Sequence, residues 1–263
     1  TQDRHRLLIS DARLRRSLNA AIYLGAPGSS ITRVRIDTTG NPTTSYSAVA
    51  LNDSIAVDSL TVYRPGNIGV YTEGRGITLK NVLVRKGTSY GLYFDVNSSI
   101  TGSRGLTLSA QSPGALTFTA DSNALGGVLI LADSVQVASC VVQDNGTTAS
   151  HHGIAVNTAR VAVQVHNCSL VNNAGNGVHN TTALVANVID AANNWWGDAG
   201  GPSVGTGDGV SANVTATLFC TVVCTTPAFV PMGSGLPPAP ALPAPERSTR
   251  GVLRSRRRKR LSG

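Results

Sequence analysis

Apolar residues in the centre of the chain alternate with polar ones over short runs. Runs such as Ile77-x-Leu79 and Val82-x-Val84 are separated by Gly, Asn or Ser. An alternation with a period of two is typical of β-strands that bury one face. The sequence therefore predicts many short strands, each with an inward and an outward side, separated by turns.

The same pattern recurs with a period close to 22 residues. Two adjoining copies begin at Ser54 and Gly76 and align without gaps, and further copies begin at Val135, with a short insertion, and at Val161. A degenerate copy covers residues 100–121. Three apolar columns result: Leu60, Val82, Cys140 and Cys168; Val62, Val84, Val142 and Leu170; Val70, Leu92, Ile154 and Val178. Several short strands per repeat predict a solenoid whose coils stack about 4.8 Å apart.

These repeats resemble those of right-handed parallel β-helix repeat proteins, the pectate-lyase-like superfamily. The end of the repeat region is similar to the NNWWG-type ending of many secreted or surface β-helix proteins. It reads Asn193-Asn194-Trp195-Trp196-Gly197-Asp198, then Gly201-Pro202, then Gly207-Asp208-x-Val210-x-x-Asn213-Val214. The resemblance covers roughly residues 50–215 and implies an all-β, single-stranded, right-handed parallel β-helix. It does not define an activity, because the superfamily mixes lyases, hydrolases, adhesins and proteins without known activity.

Composition divides the chain into four regions. Residues 1–30 fit the repeat poorly and are predicted to form either an amphipathic capping helix or a worn first coil, since solenoid ends need a cap. Residues 31–226 are predicted to hold the β-helix and its C-terminal cap. Residues 227–245 form a Pro-rich linker, and residues 246–263 are expected to be a basic disordered tail.

The formal net charge of +8 is concentrated at the two ends of the chain. Residues 246–263 carry +7 and residues 1–16 carry +3, whereas residues 17–245 carry −2. The basic tail has no interleaved aromatic residues and no folded nucleic-acid motif, so specific nucleic-acid binding is not expected. No stretch approaches 18 consecutive apolar residues, and we therefore expect no transmembrane segment.

Glu73 and Asp95 are the best candidate catalytic pair. They occupy the same column of successive repeats, so the solenoid would bring them within about 5 Å of each other. Paired carboxylates raise one another's pKa or bind a cation, and glycosidases and calcium-assisted lyases use such pairs. The column continues through Thr119, Asn157 and Thr181. That continuation favours a solvated polar ladder over a catalytic site.

Two further motifs are weaker candidates. Ser150-His151-His152-Gly153 resembles the His-Gly element of polygalacturonase-type hydrolases, but the Asn-x-Asp and Asp-Asp elements of those enzymes are missing. The histidines are therefore expected to fill a surface turn, and no metal site is predicted. Trp195 and Trp196 could bind a ligand by stacking on sugar rings, although sealing the last coil is the favoured interpretation.

The four cysteines are interpreted in two ways. Cys140 and Cys168 are expected to be small buried hydrophobic residues, because in-register parallel neighbours make poor disulfides. Cys220 and Cys224 would lie about 13 Å apart on a straight strand, so they can pair only if the chain turns there. Both outcomes remain open for that second pair.

Asparagines fall at corresponding turns of the repeats. Asn145, Asn172 and Asn173 are expected to stack side-chain amides between coils, and Asn167 is expected at a turn, because Asn tolerates the left-handed conformation. These residues are interpreted as structural.

The sequence favours a non-catalytic extracellular or cell-surface β-helix module for adhesion, glycan contact or scaffolding, without a cofactor. An extended polysaccharide or cell-surface glycan is the expected partner, because solenoids offer long faces to extended ligands. The alternative is a polysaccharide lyase or glycoside hydrolase that acts on acidic polysaccharide through Glu73 and Asp95, with Ca²⁺ as a possible cofactor. The scarcity of ionisable groups in residues 17–245 favours the binding role.

Overall fold

A computed structural model describes residues 6–39, 46–73, 77–95, 107–108, 118–133, 135–157, 160–182 and 187–224. These residues belong to one compact unit, Thr1–Val230. The Pro-rich linker and the basic tail lie outside the described residues. Within the described part the chain forms strands, which confirms the all-β prediction, and no helix there is long and apolar enough to cross a membrane.

The strands are short and follow one another in each coil. In chain order they are β1 Leu8–Ser10, β2 Arg13–Ser17, β3 Ile22–Leu24, β4 Ser30–Thr39, β5 Val49–Leu51, β6 Ala56–Pro65, β7 Val70–Glu73, β8 Thr78–Arg85, β9 Tyr90–Asp95, β10 Thr107–Leu108, β11 Phe118–Asp121, β12 Gly126–Ile130, β13 Gln136–Ala138, β14 Cys140–Gln143, β15 Ile154–Val156, β16 Gln164–His166, β17 Ser169–Val171, β18 Asn176–Asn180, β19 Ile189–Asp190, β20 Gly209–Val210 and β21 Val214–Thr215.

Three parallel sheets arise because each strand pairs with the equivalent strands of neighbouring coils. Sheet 1 has the order β1-β4-β6-β8-β11-β14-β17, and β2 also pairs with β4. Sheet 2 has the order β20-β18-β15-β12-β9-β7-β5-β3, and sheet 3 has the order β10-β13-β16-β19-β21. This topology confirms a parallel β-solenoid.

Two columns of left-handed residues mark the corners of the coils. The first corner contains Asp11, Arg33, Ser59, Asn81, Ser139, Asn167 and Asn193; the second contains Arg16, Thr38, Arg64, Lys86, Ser122, Asp144 and Asn172. Their φ angles lie between 51° and 65°. The expectation that Asn167 lies at a turn is confirmed, but most corner positions carry other residue types.

The corners separate three faces of the solenoid. Face I consists of β1, sheet 3 and the parts of β4, β6 and β8 that precede the first corner. Face II lies between the two corners and contains β2, the remaining parts of β4, β6 and β8, and then β11, β14 and β17. Face III is sheet 2.

The core consists of inward side chains stacked in the predicted columns. Leu60 pairs in register with Val82, and Val70 pairs with Leu92. Between Leu92 and the next repeat the structure inserts β12, whose Val128 pairs with Leu92 on one side and with Ile154 on the other. Each buried aliphatic side chain of these columns contributes roughly 1.5–3 kcal/mol.

The inserted coil corrects the predicted polar column. Thr119 lies in β11 on face II, between Leu83 and Val141, and not beside Asp95. The 22-residue alignment failed here because Leu92 and its partner Val128 are 36 positions apart. The column resumes correctly further along, where Thr181 Oγ1 donates to Asn157 Oδ1 at 3.2 Å.

The first coil is formed by strands β1–β3. Ile9 of β1 lies in register with Ile31, and Leu14 of β2 lies in register with Ile36. Ile22 of β3 is buried and belongs to the same core. Residues 8–24 therefore form the first turn of the solenoid and not a capping helix.

A disulfide joins Cys140 and Cys168 inside the core, so the prediction of two unpaired cysteines is wrong. Both side chains point inward on adjacent coils, and their Cα atoms are 4.4 Å apart, at the short end of the range that a disulfide spans. Cys220 and Cys224 are also bonded, with Cα atoms 5.5 Å apart. The required turn follows Phe219, which bridges to Asn194.

A ladder of buried side chains runs beside the second corner. Asn123 Nδ2 donates to Asn145 Oδ1, and Asn145 Nδ2 donates to Asn173 Oδ1, both at 3.0 Å. Asn173 Nδ2 donates to Asp208 Oδ2 at 2.6 Å. Burial raises the pKa of the Asp208 carboxyl to about 6, although the hydrogen bonds from Asn173 act in the opposite direction. Stacking is confirmed for Asn145 and Asn173, whereas Asn172 is exposed at the corner.

Candidate functional site

Tyrosines are concentrated on the outer side of face III. The register of sheet 2 places Tyr23, Ala50, Tyr71 and Tyr93 in one outward row across β3, β5, β7 and β9. Tyr90 begins β9 and also points outward, so four of the six tyrosines of the chain lie on this face. Four coils span about 14 Å along the solenoid. This is the most aromatic surface of the described residues.

Three of these rings are in contact. The ring centroids of Tyr71 and Tyr93 are 5.6 Å apart with a tilt of 33°, and those of Tyr90 and Tyr93 are 6.2 Å apart and nearly perpendicular. Both arrangements are favourable for aromatic pairs. Gly126 on the next coil makes room, because a Cβ there would come within 2.9 Å of the Tyr90 ring. The rings therefore form a supported platform.

The predicted carboxylate pair borders the same rings. Glu73 and Asp95 are register partners at the ends of β7 and β9, and both are half-buried. The Tyr71 hydroxyl donates to Asp95 Oδ2 at 3.0 Å. Burial, this hydrogen bond and the two negative charges raise the pKa of Tyr71, while burial and the charge of Asp95 raise the pKa of Tyr93. We call Tyr71, Tyr90, Tyr93, Glu73 and Asp95 the tyrosine platform.

The platform combines flat apolar rings with charged hydrogen-bond acceptors. Ring faces can stack against the C–H side of a pyranose, and carboxylates accept hydrogen bonds from its hydroxyl or ammonium groups. Two adjacent negative charges repel a uronate in the same place. Among the described residues no group of three or more His, Cys, Asp or Glu side chains is arranged to hold a metal ion.

A histidine pair extends face III beyond the platform. His152 stacks on His179, with ring centroids 3.9 Å apart. His152 Nδ1 accepts from the Asn176 backbone N–H at 3.0 Å, and burial together with the neighbouring histidines lowers the pKa of His152 to about 4. His151 lies in the preceding turn, where its Nδ1 accepts from the Thr147 N–H.

The sequence-based prediction did not include His179, although the alignment of the repeats indicated where it lies. Aligning Gly153-Ile154 with Gly177-Val178 places His152 and His179 on the outward side of adjacent coils. The stacked rings do not converge on a common point, and both Nδ1 atoms face Asn176. The pair therefore forms a stacked aromatic part of face III beyond the platform.

The two tryptophans have different environments. Trp196 is fully buried in the core of the last coil, and its ring lies under Gly177, where a Cβ would approach it to 3.0 Å. Trp195 is half-buried and bridges to Ser169. Only Trp195 has surface available for a ligand, and it lies on face II, away from the tyrosine platform.

No protein-family model, curated protein or solved structure matches the chain.

Proposed function

We propose that the chain is a non-catalytic β-helix module that binds an extended glycan along face III. The observation that carries the proposal is the tyrosine platform, in which three contacting rings lie beside two carboxylates. A rigid sheet holds these side chains at the spacing of the coils, so little conformational entropy is lost on binding. Tyr23, which is 68% exposed in the same outward row, lengthens the surface along the solenoid axis.

The negative charge of the platform favours ligands built of neutral or amino sugars over acidic ones. Glu73 and Asp95 lie on adjacent coils about 5 Å apart, and a uronate bound there would experience two like charges at short range. A hydroxyl-rich or ammonium-bearing sugar instead donates hydrogen bonds to both. The same repulsion disfavours the acidic polysaccharide that is expected as the substrate under the alternative, enzymatic interpretation.

A glycan panel probed with the full chain tests the proposal. We expect binding to neutral or amino-sugar polymers, and a loss of tenfold or more in affinity for Tyr93→Ala, because central aromatic residues dominate such contacts. Tyr63→Ala, on face II, is the matched control and should bind as the wild type does. Absence of glycan binding, or equal losses in both variants, would refute the proposal.

An enzymatic role at Glu73 and Asp95 is the second candidate. Their register pairing and the hydrogen bond from Tyr71 to Asp95 favour it. The test is incubation with acidic and neutral polysaccharides, with and without Ca²⁺. Release of oligosaccharide that disappears in Glu73→Gln would support catalysis, whereas unchanged polymer length under all conditions would exclude it for those substrates.

We also propose an extracellular or cell-surface location. The two disulfides support it, because such bonds persist in oxidising compartments and are rare in a reducing cytosol. Fractionation of the producing cells tests the location. Recovery in the secreted or surface fraction is expected, and recovery of reduced protein in the cytosol would contradict it.

A further inference from the structure

Face II carries a concentration of positive charge that the sequence does not reveal. In the coils from β2 to β11, its outward side presents Arg13, Arg15, Arg35 and Arg85. The second corner adds three cations, Arg16, Arg64 and Lys86. Two carboxylates, Asp37 and Asp121, lie among these seven cations, so the area carries a net charge of +5.

Both carboxylates are already engaged by arginines of the face. Asp37 contacts Arg13 at 2.7 Å and Arg35 at 2.8 Å, and Arg85 contacts Asp121 at 2.5 Å. Burial opposes the ionisation of Asp37, but the hydrogen bonds from Arg35 and Arg13 outweigh it and lower the pKa of the carboxyl. Asp37 therefore remains charged and is paired with Arg13 and Arg35. The corner cations are left without an acidic partner on this face.

The three corner cations are exposed and form no ion pair with any described residue. The Arg64 guanidinium lies 5.1 Å and the Lys86 ammonium 5.9 Å from the centre of the Tyr63 ring. These cation–π contacts hold two like charges close together on adjacent coils. Arg16 lies in the same corner column, two coils before Arg64. Such a cluster gains from a negatively charged partner.

The shape of the area favours a planar partner over a linear one. Its cations are spread over several coils and over both the sheet and the corner, which is a two-dimensional array. A groove of about 240 Å³, lined by residues such as Ser30, Asp58 and Lys80, lies on face I and is therefore not part of this area.

An exposed apolar side chain lies at the border of the array. Leu18, two residues after Arg16, is 80% exposed.

We propose that face II docks on the surface of an anionic lipid bilayer. Arg16, Arg64 and Lys86 would lie at the level of the lipid phosphates, and Leu18 would enter the boundary between headgroups and acyl chains. Basic residues near a negatively charged leaflet and an adjacent apolar side chain are the combination that peripheral membrane proteins use. Faces II and III are different surfaces, so this proposal is independent of glycan binding.

Co-sedimentation of the full chain with vesicles tests the proposal. We expect binding to phosphatidylcholine vesicles that contain phosphatidylglycerol, no binding to phosphatidylcholine alone, and weakening as salt increases. Neutralising Arg16, Arg64 and Lys86 to Gln together should lower the partition coefficient on the order of a hundredfold. Leu18→Ser should lower it further without affecting the fold.

The basic tail provides a charge-matched control. Replacing Arg256, Arg257 and Arg258 by Gln removes the same three charges and should weaken binding less than the face II variant does. Binding that depends on the tail and not on face II would overturn the proposal. Equally strong binding of the wild type to a soluble sulfated polysaccharide or to a nucleic acid would also overturn it, since it would show a general polyanion site. Circular dichroism of each variant serves to check that it is folded.

Discussion

Truncation of Asn145 to alanine should unfold the solenoid at markedly lower denaturant concentration. The residue is fully buried, and its Nδ2 donates to the Ala120 carbonyl and to Asn173 Oδ1, both at 3.0 Å. Its Oδ1 accepts from the Asn123 backbone N–H at 3.1 Å and from the Asn123 side chain at 3.0 Å. Removing the amide leaves at least two buried polar groups without these partners. Each costs about 1–3 kcal/mol, so we expect a loss of about 3–5 kcal/mol in the free energy of unfolding.

Urea denaturation of Asn145→Ala, followed by circular dichroism and by tryptophan fluorescence, to which the buried Trp196 contributes, measures this loss. Asn172→Gly is the matched control, because Asn172 is an exposed corner asparagine with φ 56° and glycine accepts that conformation. The control should change stability by less than about 0.5 kcal/mol. A loss below about 1 kcal/mol for Asn145→Ala, or equal losses in both variants, would refute the view that the ladder holds the coils together.

Three further predictions follow from buried charge, backbone strain and the disulfides. The pKa of Asp208 is raised to about 6 from 3.8, so ionisation of this group lowers stability as pH rises from about 4 to 6. Between pH 4 and pH 8 the stability of Asp208→Asn should therefore rise by about 3 kcal/mol relative to the wild type, and a difference that stays constant with pH would contradict the raised pKa. Thr38→Gly should stabilise the fold by about 1 kcal/mol, because the exposed, β-branched Thr38 has φ 58°. Thr61→Gly, on an extended strand, is the control and should destabilise the fold. A shift of the melting temperature in the same direction for both variants would argue against strain at the corner. Thiol titration of the unfolded, unreduced chain should find no free thiol, and two reactive thiols would contradict the core disulfide. Replacing Cys140 and Cys168 by alanine should lower the free energy of unfolding by about 3 kcal/mol.

The solenoid was predictable from sequence because its core obeys a simple rule. Inward positions such as Leu60 and Val82 must be apolar in every coil, and stacking places them in one column, so the alignment directly encodes the register. The same rule failed where a coil was lengthened. Thr119 was placed on the wrong face because nothing in the degenerate segment marks how many residues the insertion contains.

The candidate site was predictable only in part. The pairing of Glu73 with Asp95 followed from the repeat, since both belong to adjoining copies of equal length. The contact between Tyr90 and Tyr93 did not, because it depends on the ring orientations and on the space above Gly126. Outward positions are free to vary between coils, so the repeat pattern contains no information about which of them carry function.

The charge distribution shows the same limit. Summing charges along the chain makes residues 17–245 nearly neutral, yet folding collects Arg35, Arg64, Arg85 and Lys86 on one face and leaves Glu73 on another. To predict this segregation from the sequence, one must know which residues occupy the corners. These are not recognisable from residue type, because Asn occupies only four of the fourteen corner positions and Ser, Arg, Asp, Thr and Lys share the other ten.

Footprinting of the glycan-bound protein tests the central claim most directly. Hydroxyl-radical labelling of the full chain, with and without a bound neutral or amino-sugar oligosaccharide, reports which aromatic side chains the ligand covers. If the proposed glycan binding is right, we expect protection of Tyr71, Tyr90 and Tyr93 on face III and unchanged labelling of Tyr63 and Trp195 on face II. Protection confined to Trp195 or Tyr63, with the tyrosine platform labelled as in the free protein, would contradict the account.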